Sequence, residues 1–220
     1  MKRYAIYFVP PFGPLAMAGA GWLGRDAATG TSLPQPDPAL PALTGAPRRY
    51  GFHATLKAPF RLAGHESPES LRAGLTDLAR KLRPVVMDGL SVQCFHGFLA
   101  LLPVGGTSPL NALAARVVMQ LDRFRAPLSA AETARRNPAA LTGRQRALLE
   151  AWGYPLVLDE FRFHMTLTDR LTPDQASVLL PLAQAHFAGA LRGPVAIDAL
   201  TLFAEDEAGV FHQLDRFELG

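Results

Sequence analysis

Apolar and polar residues alternate in two short stretches of the chain, residues 50–60 and residues 160–168. Because successive side chains of a β-strand point to opposite faces of a sheet, this alternation predicts two strands that are each buried on one face. The polar positions are His53, Thr55 and Lys57 in the first strand, and Arg162, His164, Thr166 and Thr168 in the second. We therefore expect the open face of each strand to present an imidazole, a threonine hydroxyl and a cation.

A helix and a hairpin are predicted after each of these strands, so the chain contains a diluted internal repeat. Both helices open alike, since Ser67-Pro68 and Thr172-Pro173 each combine a capping hydroxyl with a proline at the first helical position. Residues 82–92 then line up with residues 191–202 once a single added glycine is allowed for. The repeat predicts an α+β, bilobal fold with two strand–helix–hairpin lobes around a central cleft, related by a pseudo-two-fold axis.

We expect a single domain over residues 1–220, a length that buries a core without disulfides. The expected parts are a first lobe (1–105), a helical insert that the first block lacks (106–155) and a second lobe (156–220). Residues 4–9 are rich in aromatic and β-branched residues, which predicts a strand. Residues 15–49 are dominated by Gly, Ala, Pro, Thr and Ser, which predicts a loop that includes at most a short helix.

The amino-acid composition argues against several classes of protein. The chain carries 22 Lys and Arg against 19 Asp and Glu, and this small excess does not indicate a nucleic-acid-binding surface. Cys94 is the only cysteine, which excludes a disulfide framework and a thiolate zinc site. No stretch reaches the roughly 18 apolar residues of a membrane span, and prolines interrupt the apolar amino-terminal run. We therefore expect a cytoplasmic protein without a membrane partner.

Two copies of His-x-Thr-Leu, at residues 53–56 and 164–167, are the candidate chemistry. Neutral and protonated histidine coexist near neutral pH, so one imidazole can accept a proton from an attacking group while the other donates one to a leaving oxygen. Hydroxyls and cations near such a pair are suited to hold the nonbridging oxygens of a phosphodiester. The candidates for this role are Thr55, Thr166, Lys57, Arg162 and, from the first strand, Tyr7. Such a site needs no metal and no cofactor.

Other interpretations of these histidines remain open. A single histidine in a strand is more often a hydrogen-bonded structural residue than a catalyst. A metal site built from His53, His164 and His96 is a weaker alternative, because the ligand spacing of known metal motifs is missing. Two copies of one motif at matching points of a repeat favour a paired function. The histidines outside the two motifs are predicted to be surface or turn residues: His65, His96, His186 and His212.

The chain resembles the 2H phosphoesterase superfamily, which is named for two His-x-Thr/Ser-x motifs on the inner strands of a bilobal, pseudo-symmetric α+β fold. More narrowly, it resembles the DUF1045 family of bacterial proteins, associated with phosphonate metabolism, in residues 3–10, 50–57, 125–129 and 152–168. The resemblance implies that His53 and His164 are the catalytic pair and that Thr55 and Thr166 bind phosphate. It also implies a phosphodiesterase that acts without a metal.

The leading hypothesis from this resemblance is the hydrolysis of 5-phosphoribosyl 1,2-cyclic phosphate or a close analogue, with the acid and the base unassigned. One alternative is an RNA 2′,3′-cyclic phosphate end-processing enzyme, although a nucleic-acid partner is not favoured. The other is a protein that binds a nucleotide or sugar phosphate without turnover. Several arginines near the motifs are candidates for a second phosphate, with a solvated surface favoured for most of them: Arg48, Arg49, Arg135, Arg136, Arg144 and Arg146.

Overall fold

A computed structural model describes residues 1–220 as helices and antiparallel strands. The strands are β1 (Tyr4–Phe8), β2 (Ala54–Phe60), β3 (Val85–Met87), β4 (Gly89–Phe95), β5 (Phe98–Val104), β6 (Met165–Thr166), β7 (Val195–Ile197), β8 (Ala199–Glu205) and β9 (Phe211–Glu218). The helices are α1 (Pro14–Leu23), α2 (Leu40–Leu43), α3 (Gly45–Tyr50), α4 (Pro68–Ala79), α5 (Ser108–Gln120), α6 (Ala130–Arg135), α7 (Gly143–Trp152) and α8 (Pro173–Phe187). Short 3-10 turns lie at Asp122–Phe124, Pro138–Ala140 and Leu158–Glu160. The predicted α+β fold class is confirmed.

Seven strands form one antiparallel sheet in the order β4-β5-β6-β2-β1-β8-β9, and β3 pairs with β7 in a separate two-stranded sheet. The main hydrophobic core lies on one face of the large sheet, where α4 contacts β8 and β9 and α8 contacts β4 and β5. A small apolar cluster, which includes Tyr7 and Phe203, lies on the opposite face. Tyr7 pairs with Thr55, so the polar face of β2 lies on this second side of the sheet. The candidate chemistry is therefore on the face that α4 and α8 leave uncovered.

The pseudo-two-fold axis is visible in the strand pairing. Ala54 and Met165 occupy equivalent positions of the two His-x-Thr motifs, and they pair with each other between β2 and β6. Val86 and Ala196 occupy equivalent positions of the second repeat segment, and they pair with each other between β3 and β7. A residue that pairs with its own repeat equivalent lies on the axis that relates the two copies. The predicted pseudo-symmetry is thus confirmed at two separate points.

The two blocks of the repeat are interleaved in the sheet. Strands β4 and β5 of the first block join β6 of the second, whereas β8 and β9 of the second block reach β2 through β1. Each half of the sheet therefore contains strands from both blocks, and the lobes do not coincide with the consecutive segments 1–105 and 156–220. The segment 106–155 contains α5, α6 and α7.

The two repeat helices begin as the capping pattern predicts. The Ser67 hydroxyl accepts a hydrogen bond from the backbone N–H of Ser70, and the Thr172 hydroxyl accepts one from Gln175. In both helices the side chain three residues after the cap accepts a hydrogen bond from the backbone N–H of the capping residue. These local contacts fix where α4 and α8 start and so how they meet the sheet.

The segment 15–49 is more helical than its composition suggests. It contains all of α2 and all but one residue each of α1 and α3, and Trp22 of α1 is fully buried. The glycines that resemble loop residues in the sequence permit close packing, since a side chain at Gly19 would overlap the ring of Phe52. The Trp22 indole N–H also donates to the carbonyl of Leu167, at 2.9 Å. This segment is thereby attached to the second motif. None of the helices combines the length and the apolar character needed to cross a membrane.

Candidate active site

The two candidate histidines lie beside each other at the start of two central strands, His53 immediately before β2 and His164 immediately before β6. Ala54 of β2 pairs with Met165 of β6 in antiparallel register. Extending this register by one residue in each direction places each histidine opposite the threonine of the other motif, His53 opposite Thr166 and His164 opposite Thr55. All four side chains share one face, and the histidines are diagonal neighbours, about 7–8 Å apart at the backbone. The motifs thus meet within a single sheet face and do not oppose each other from two separate walls.

Both imidazoles are held in the same way. Nδ1 of His53 lies 2.9 Å from the carbonyl oxygen of Gly51, and Nδ1 of His164 lies 2.8 Å from that of Arg162. A carbonyl oxygen can only accept, so Nδ1 carries the proton in each ring and Nε2 of the neutral ring is left with a free lone pair. The Thr55 hydroxyl lies 3.2 Å from Nε2 of His53 and donates to it. Both rings therefore present Nε2 as the nitrogen that can exchange a proton.

His53 lies in an aromatic environment. Its ring stacks on that of Tyr7 with the centroids 3.7 Å apart, and the ring of Tyr50 lies at 6.2 Å. Burial is the main cause that lowers the pKa of His53 to about 4; the neighbouring His164 also lowers this pKa, and the hydrogen bond to Gly51 opposes the shift. This imidazole is therefore neutral at pH 7. Tyr7, predicted to bind phosphate, is itself almost completely buried, and its ring packs against His53, Phe203 and Phe211.

His164 has a different environment. Its ring packs beside the half-buried Phe95 and Phe98, with centroid distances of 5.3 and 5.8 Å. Burial again lowers the pKa, and His96 adds to the effect. His96 lies in the β4–β5 turn, as predicted, in a left-handed conformation with φ 49°. The two histidines of the pair are thus alike in their hydrogen bonds and different in what surrounds them.

Three polar residues of the motif strands do not have free side chains at this point. The Lys57 ammonium is buried and donates to the Asp122 carboxylate, at 3.0 Å, and to the Val118 carbonyl. The guanidinium of Arg162 donates to neighbouring backbone carbonyls. Arg162 contacts the histidine pair through its backbone carbonyl, which accepts from Nδ1 of His164. Thr168, predicted to lie on the open face, is buried because β6 ends at Thr166, and its hydroxyl accepts from the backbone N–H of Leu99.

A cationic cleft of about 680 Å³ is lined by Tyr50 and by the part of β2 from Lys57 to Phe60. Neither histidine lines it, but Tyr50 connects the cleft to the ring of His53. The lining contains more cations than acids, and the cations are Lys2, Arg3, Arg49, Lys57, Arg61, Arg125, Arg135 and Arg136. Most of them are paired with carboxylates. The exceptions are Arg49, Arg135 and Arg136.

The remaining candidate arginines have structural partners. Arg48 donates to the Leu23 carbonyl, to Gln35 and to Thr44. Arg144 forms an ion pair with Asp159, and Arg146 donates to the Leu141 carbonyl. Of the six arginines proposed for a second phosphate, three therefore line the cleft. No group of three or more His, Cys, Asp and Glu side chains in the chain could hold a metal ion.

Sequence reasoning missed several residues of this region. Tyr50 and Tyr154 both lie in stretches that resemble the DUF1045 family, 50–57 and 152–168, but neither was predicted as a site residue. Gly51 is needed for its backbone, because its φ of 81° is in the left-handed region and its carbonyl fixes His53. A tyrosine and a glycine immediately before a predicted catalytic histidine were the available signal.

Comparison with known proteins gives the family. Residues 55–212 match the family model described as "Protein of unknown function (DUF1045)". Two curated relatives are both named "Ribose 1,5-bisphosphate phosphokinase PhnN". The relative from Janthinobacterium sp. (strain Marseille) is 43% identical over 95% of this chain and 49% of its own length. The relative from Laribacter hongkongensis (strain HLHK9) is 39% identical over 97% of this chain and 51% of its own length. The chain thus spans about half the length of these relatives.

Solved structures with a similar course of the chain include E. coli LigT in apo form, with a TM-score of 0.42, 16% identity, and 99% of this chain and 97% of that chain covered. TT0787 of Thermus thermophilus has a TM-score of 0.47 and 15% identity with the same coverage. The family model covers most of the chain, including the whole of the second motif and Thr55 of the first. The chain belongs to the DUF1045 family.

Proposed function

We propose that this chain is a phosphodiesterase that opens a small cyclic phosphate ester, with His53 and His164 as the proton-transfer pair. The supporting observation is that both imidazoles present Nε2 on one face of the sheet, each with Nδ1 tied to a carbonyl two residues earlier. Their diagonal spacing leaves room for one phosphate group between them. A structural role for either histidine would not require this shared orientation.

In the proposed reaction His53 is the general base and His164 the general acid. Water attacks phosphorus while Nε2 of His53 takes a proton from it, a role open to this ring because a pKa of about 4 leaves it neutral at pH 7. The bond between phosphorus and one ring-ester oxygen breaks, and that oxygen takes the proton from Nε2 of His164. The negative charge of the bound phosphate favours the protonated form of His164 before the reaction. One water is consumed, and the product is a phosphate monoester with a free hydroxyl.

Thr55 and Thr166 are proposed to donate to the nonbridging oxygens. Each lies opposite the histidine of the other motif, so each can contact the same phosphate as both imidazoles. Thr55 must then turn its hydroxyl from His53 toward the substrate. Arg162 and Lys57 are not assigned to the phosphate, because their side chains have other partners.

The proposed substrate is 5-phosphoribosyl 1,2-cyclic phosphate. The relatives are named for a kinase of ribose 1,5-bisphosphate. Cleavage of the bond between phosphorus and O2 would leave the phosphate on O1, and the product would be ribose 1,5-bisphosphate. A diesterase half would then supply the compound for which the longer relatives are named. Cleavage at O1 would instead give ribose 2,5-bisphosphate.

We do not propose kinase activity for this chain. A P-loop requires a lysine directly after a glycine, within GxxxxGK[ST]. The lysines are Lys2, Lys57 and Lys81, which follow Met1, Leu56 and Arg80. This chain therefore has no P-loop for the kinase chemistry that the relatives' name describes.

An RNA 2′,3′-cyclic phosphate is the second candidate substrate. Phe95 and Phe98 are half-buried beside His164, where a nucleobase could stack on their remaining surface. The cleft next to His53 carries three cations that pair with no carboxylate, Arg49, Arg135 and Arg136, and these suit a second phosphate. This favours the phosphorylated sugar over the nucleotide.

Phosphorus NMR tests both candidates. The purified protein, with and without a chelator, is mixed with 5-phosphoribosyl 1,2-cyclic phosphate or with a 2′,3′-cyclic nucleotide. We expect a new monoester resonance from the sugar, in the position of an anomeric 1-phosphate. His53→Ala and His164→Ala should each lose about 10²–10⁴ of the rate while their circular dichroism and thermal unfolding remain close to wild type. Turnover of the nucleotide alone would assign the protein to RNA ends. Turnover that persists in both variants, or no turnover of either compound, would contradict the proposed function.

A further inference from the structure

Tyrosines lie where the cationic cleft meets His53, since Tyr50 and Tyr154 line the cleft and Tyr7 packs on the histidine. Tyr7 stacks on His53, and the ring of Tyr50 lies 6.2 Å from that of His53. The phenols of Tyr50 and Tyr154 are close enough to that of Tyr7 for a charge on either to raise its pKa. A charge on the phenol of Tyr50 likewise raises the pKa of Tyr154. These rings therefore form one wall between the histidine pair and the cleft.

Two arginines lie on the outer side of this wall. The guanidinium carbon of Arg49 is 5.2 Å from the ring centroid of Tyr50, and its Nη2 donates to the Tyr50 hydroxyl at 3.1 Å. The guanidinium carbon of Arg136 is 4.7 Å from the ring centroid of Tyr154. Neither arginine has a carboxylate within 4 Å, although other cations of the same cleft do. Aromatic faces thus hold two guanidiniums whose charges are not neutralised by the protein.

The donors of this cluster suit an anion with several oxygens. Guanidinium groups only donate, and their planar arrangement of N–H groups matches the oxygens of a phosphate. The Tyr50 oxygen accepts from Arg49, which leaves its own proton free for a ligand. Burial raises the pKa of Tyr7 and Tyr154, so their hydroxyls remain protonated donors at neutral pH. The acids of the cleft, Glu132 and Glu205, are engaged by Arg61 and Arg3.

We propose that Arg49 and Arg136, with the hydroxyls of Tyr50 and Tyr154, bind a second phosphate monoester of the substrate that is not itself hydrolysed. This inference rests on the proposed function, because the reacting cyclic phosphate is taken to lie between His53 and His164. Arg136 and Tyr154 come from the insert 106–155, which has no counterpart in the first block of the repeat. The insert thus supplies half of the subsite, and Arg49 and Tyr50 at the end of α3 supply the other half.

A pair of substrates tests the subsite. One is 5-phosphoribosyl 1,2-cyclic phosphate, and the other is ribosyl 1,2-cyclic phosphate, which lacks the second phosphate. We expect Arg49→Ala and Arg136→Ala each to lower the ratio of their kcat/KM values by about 10- to 100-fold, chiefly through KM for the phosphorylated compound. The matched control is Arg192→Ala, which removes an exposed arginine outside the cleft and should leave the ratio unchanged. An unchanged ratio in both cleft variants would overturn the proposal.

Calorimetric binding separates this subsite from the catalytic proposal. Ribose 5-phosphate and ribose are titrated into the full chain carrying His53→Ala, with and without Arg49→Ala and Arg136→Ala. We expect ribose 5-phosphate alone to bind, and the arginine substitutions to weaken its binding about 10-fold or more. This result combined with no turnover by wild type would support the subsite and reject the diesterase. Equal binding with and without the two arginines, or no binding of ribose 5-phosphate, would reject the subsite whatever the turnover.

Discussion

Ala54 and Met165 pair across β2 and β6, and this single contact between repeat-equivalent residues brings the two His-x-Thr motifs together. Because the strands are antiparallel, each histidine faces the threonine of the other motif. The backbone arrangement is close to symmetric, whereas a hydrolysis with one acid and one base is not. The asymmetry comes from the side chains around the rings, with Tyr7 stacked on His53 and two phenylalanines beside His164.

The first prediction concerns pH. The base must be neutral, so kcat/KM should fall as the pH drops through the pKa of His53, about 4. The acid must be protonated, so kcat/KM should also fall as the pH rises through the pKa of His164, which lies below its usual 6.5. We expect a bell-shaped profile with its maximum between these values. In the pH profile of kcat, the decline on the alkaline side should shift to higher pH, because bound phosphate stabilises the imidazolium of His164. A profile that rises steadily toward alkaline pH would contradict the assignment.

The second prediction concerns Tyr7, which acts on the reaction through His53. Tyr7→Leu removes the stacked ring, admits water to the imidazole and should raise the pKa of His53 toward its ordinary value. Tyr7→Phe keeps the ring and should leave that pKa close to about 4. Titration of the His53 ring protons by NMR measures both. Equal pKa values in the two variants would show that the stack does not control this histidine.

The third prediction concerns Lys57, which the structure assigns to the fold and not to the phosphate. Lys57→Met breaks a buried ion pair, although Asp122 retains Arg125. We expect the free energy of unfolding to fall by about 3 kcal/mol, measured by urea denaturation, with little change in kcat/KM. Lys81→Met, at an exposed lysine, is the control. A large loss of activity in a stably folded Lys57→Met protein would restore Lys57 as a phosphate ligand.

The fourth prediction concerns Gly51. Its φ is 81°, and a side-chain carbon there would lie 2.5 Å from Cβ of Ala27. Gly51→Ala should therefore destabilise the chain by more than the roughly 1–2 kcal/mol of backbone strain alone, and should reduce activity because the carbonyl that holds His53 moves. Gly30→Ala is the matched control, since Gly30 has a φ of 75° and open space around it. Thermal unfolding and turnover compare the two, and similar effects in both variants would reject a special role for Gly51.

Local patterns in the amino-acid sequence were sufficient to predict the elements around the site and the chemical motif. The alternation around each histidine, the capped starts of α4 and α8 and the repeat of the segment after each helix are all patterns within a few residues. Such patterns report which face is buried and where a helix begins, because these properties depend on neighbours along the chain. The resemblance of residues 3–10, 50–57, 125–129 and 152–168 predicted the DUF1045 family, which the match over residues 55–212 confirms, and the histidine pair stays a prediction.

Which polar side chains are free depends on contacts between distant residues, and only the folded chain shows them. From the sequence, Lys57 is a candidate phosphate ligand. In the folded chain its ammonium donates to the carboxylate of Asp122, which lies 65 residues later. From the sequence, Arg136 resembles an ordinary surface residue. In the folded chain its guanidinium lies over the ring of Tyr154, and both residues line the cleft. The interleaving of the two blocks in one sheet was likewise hidden. Pairings between distant residues depend on how strands and helices pack, and packing leaves no periodic mark on either partner's own stretch of sequence.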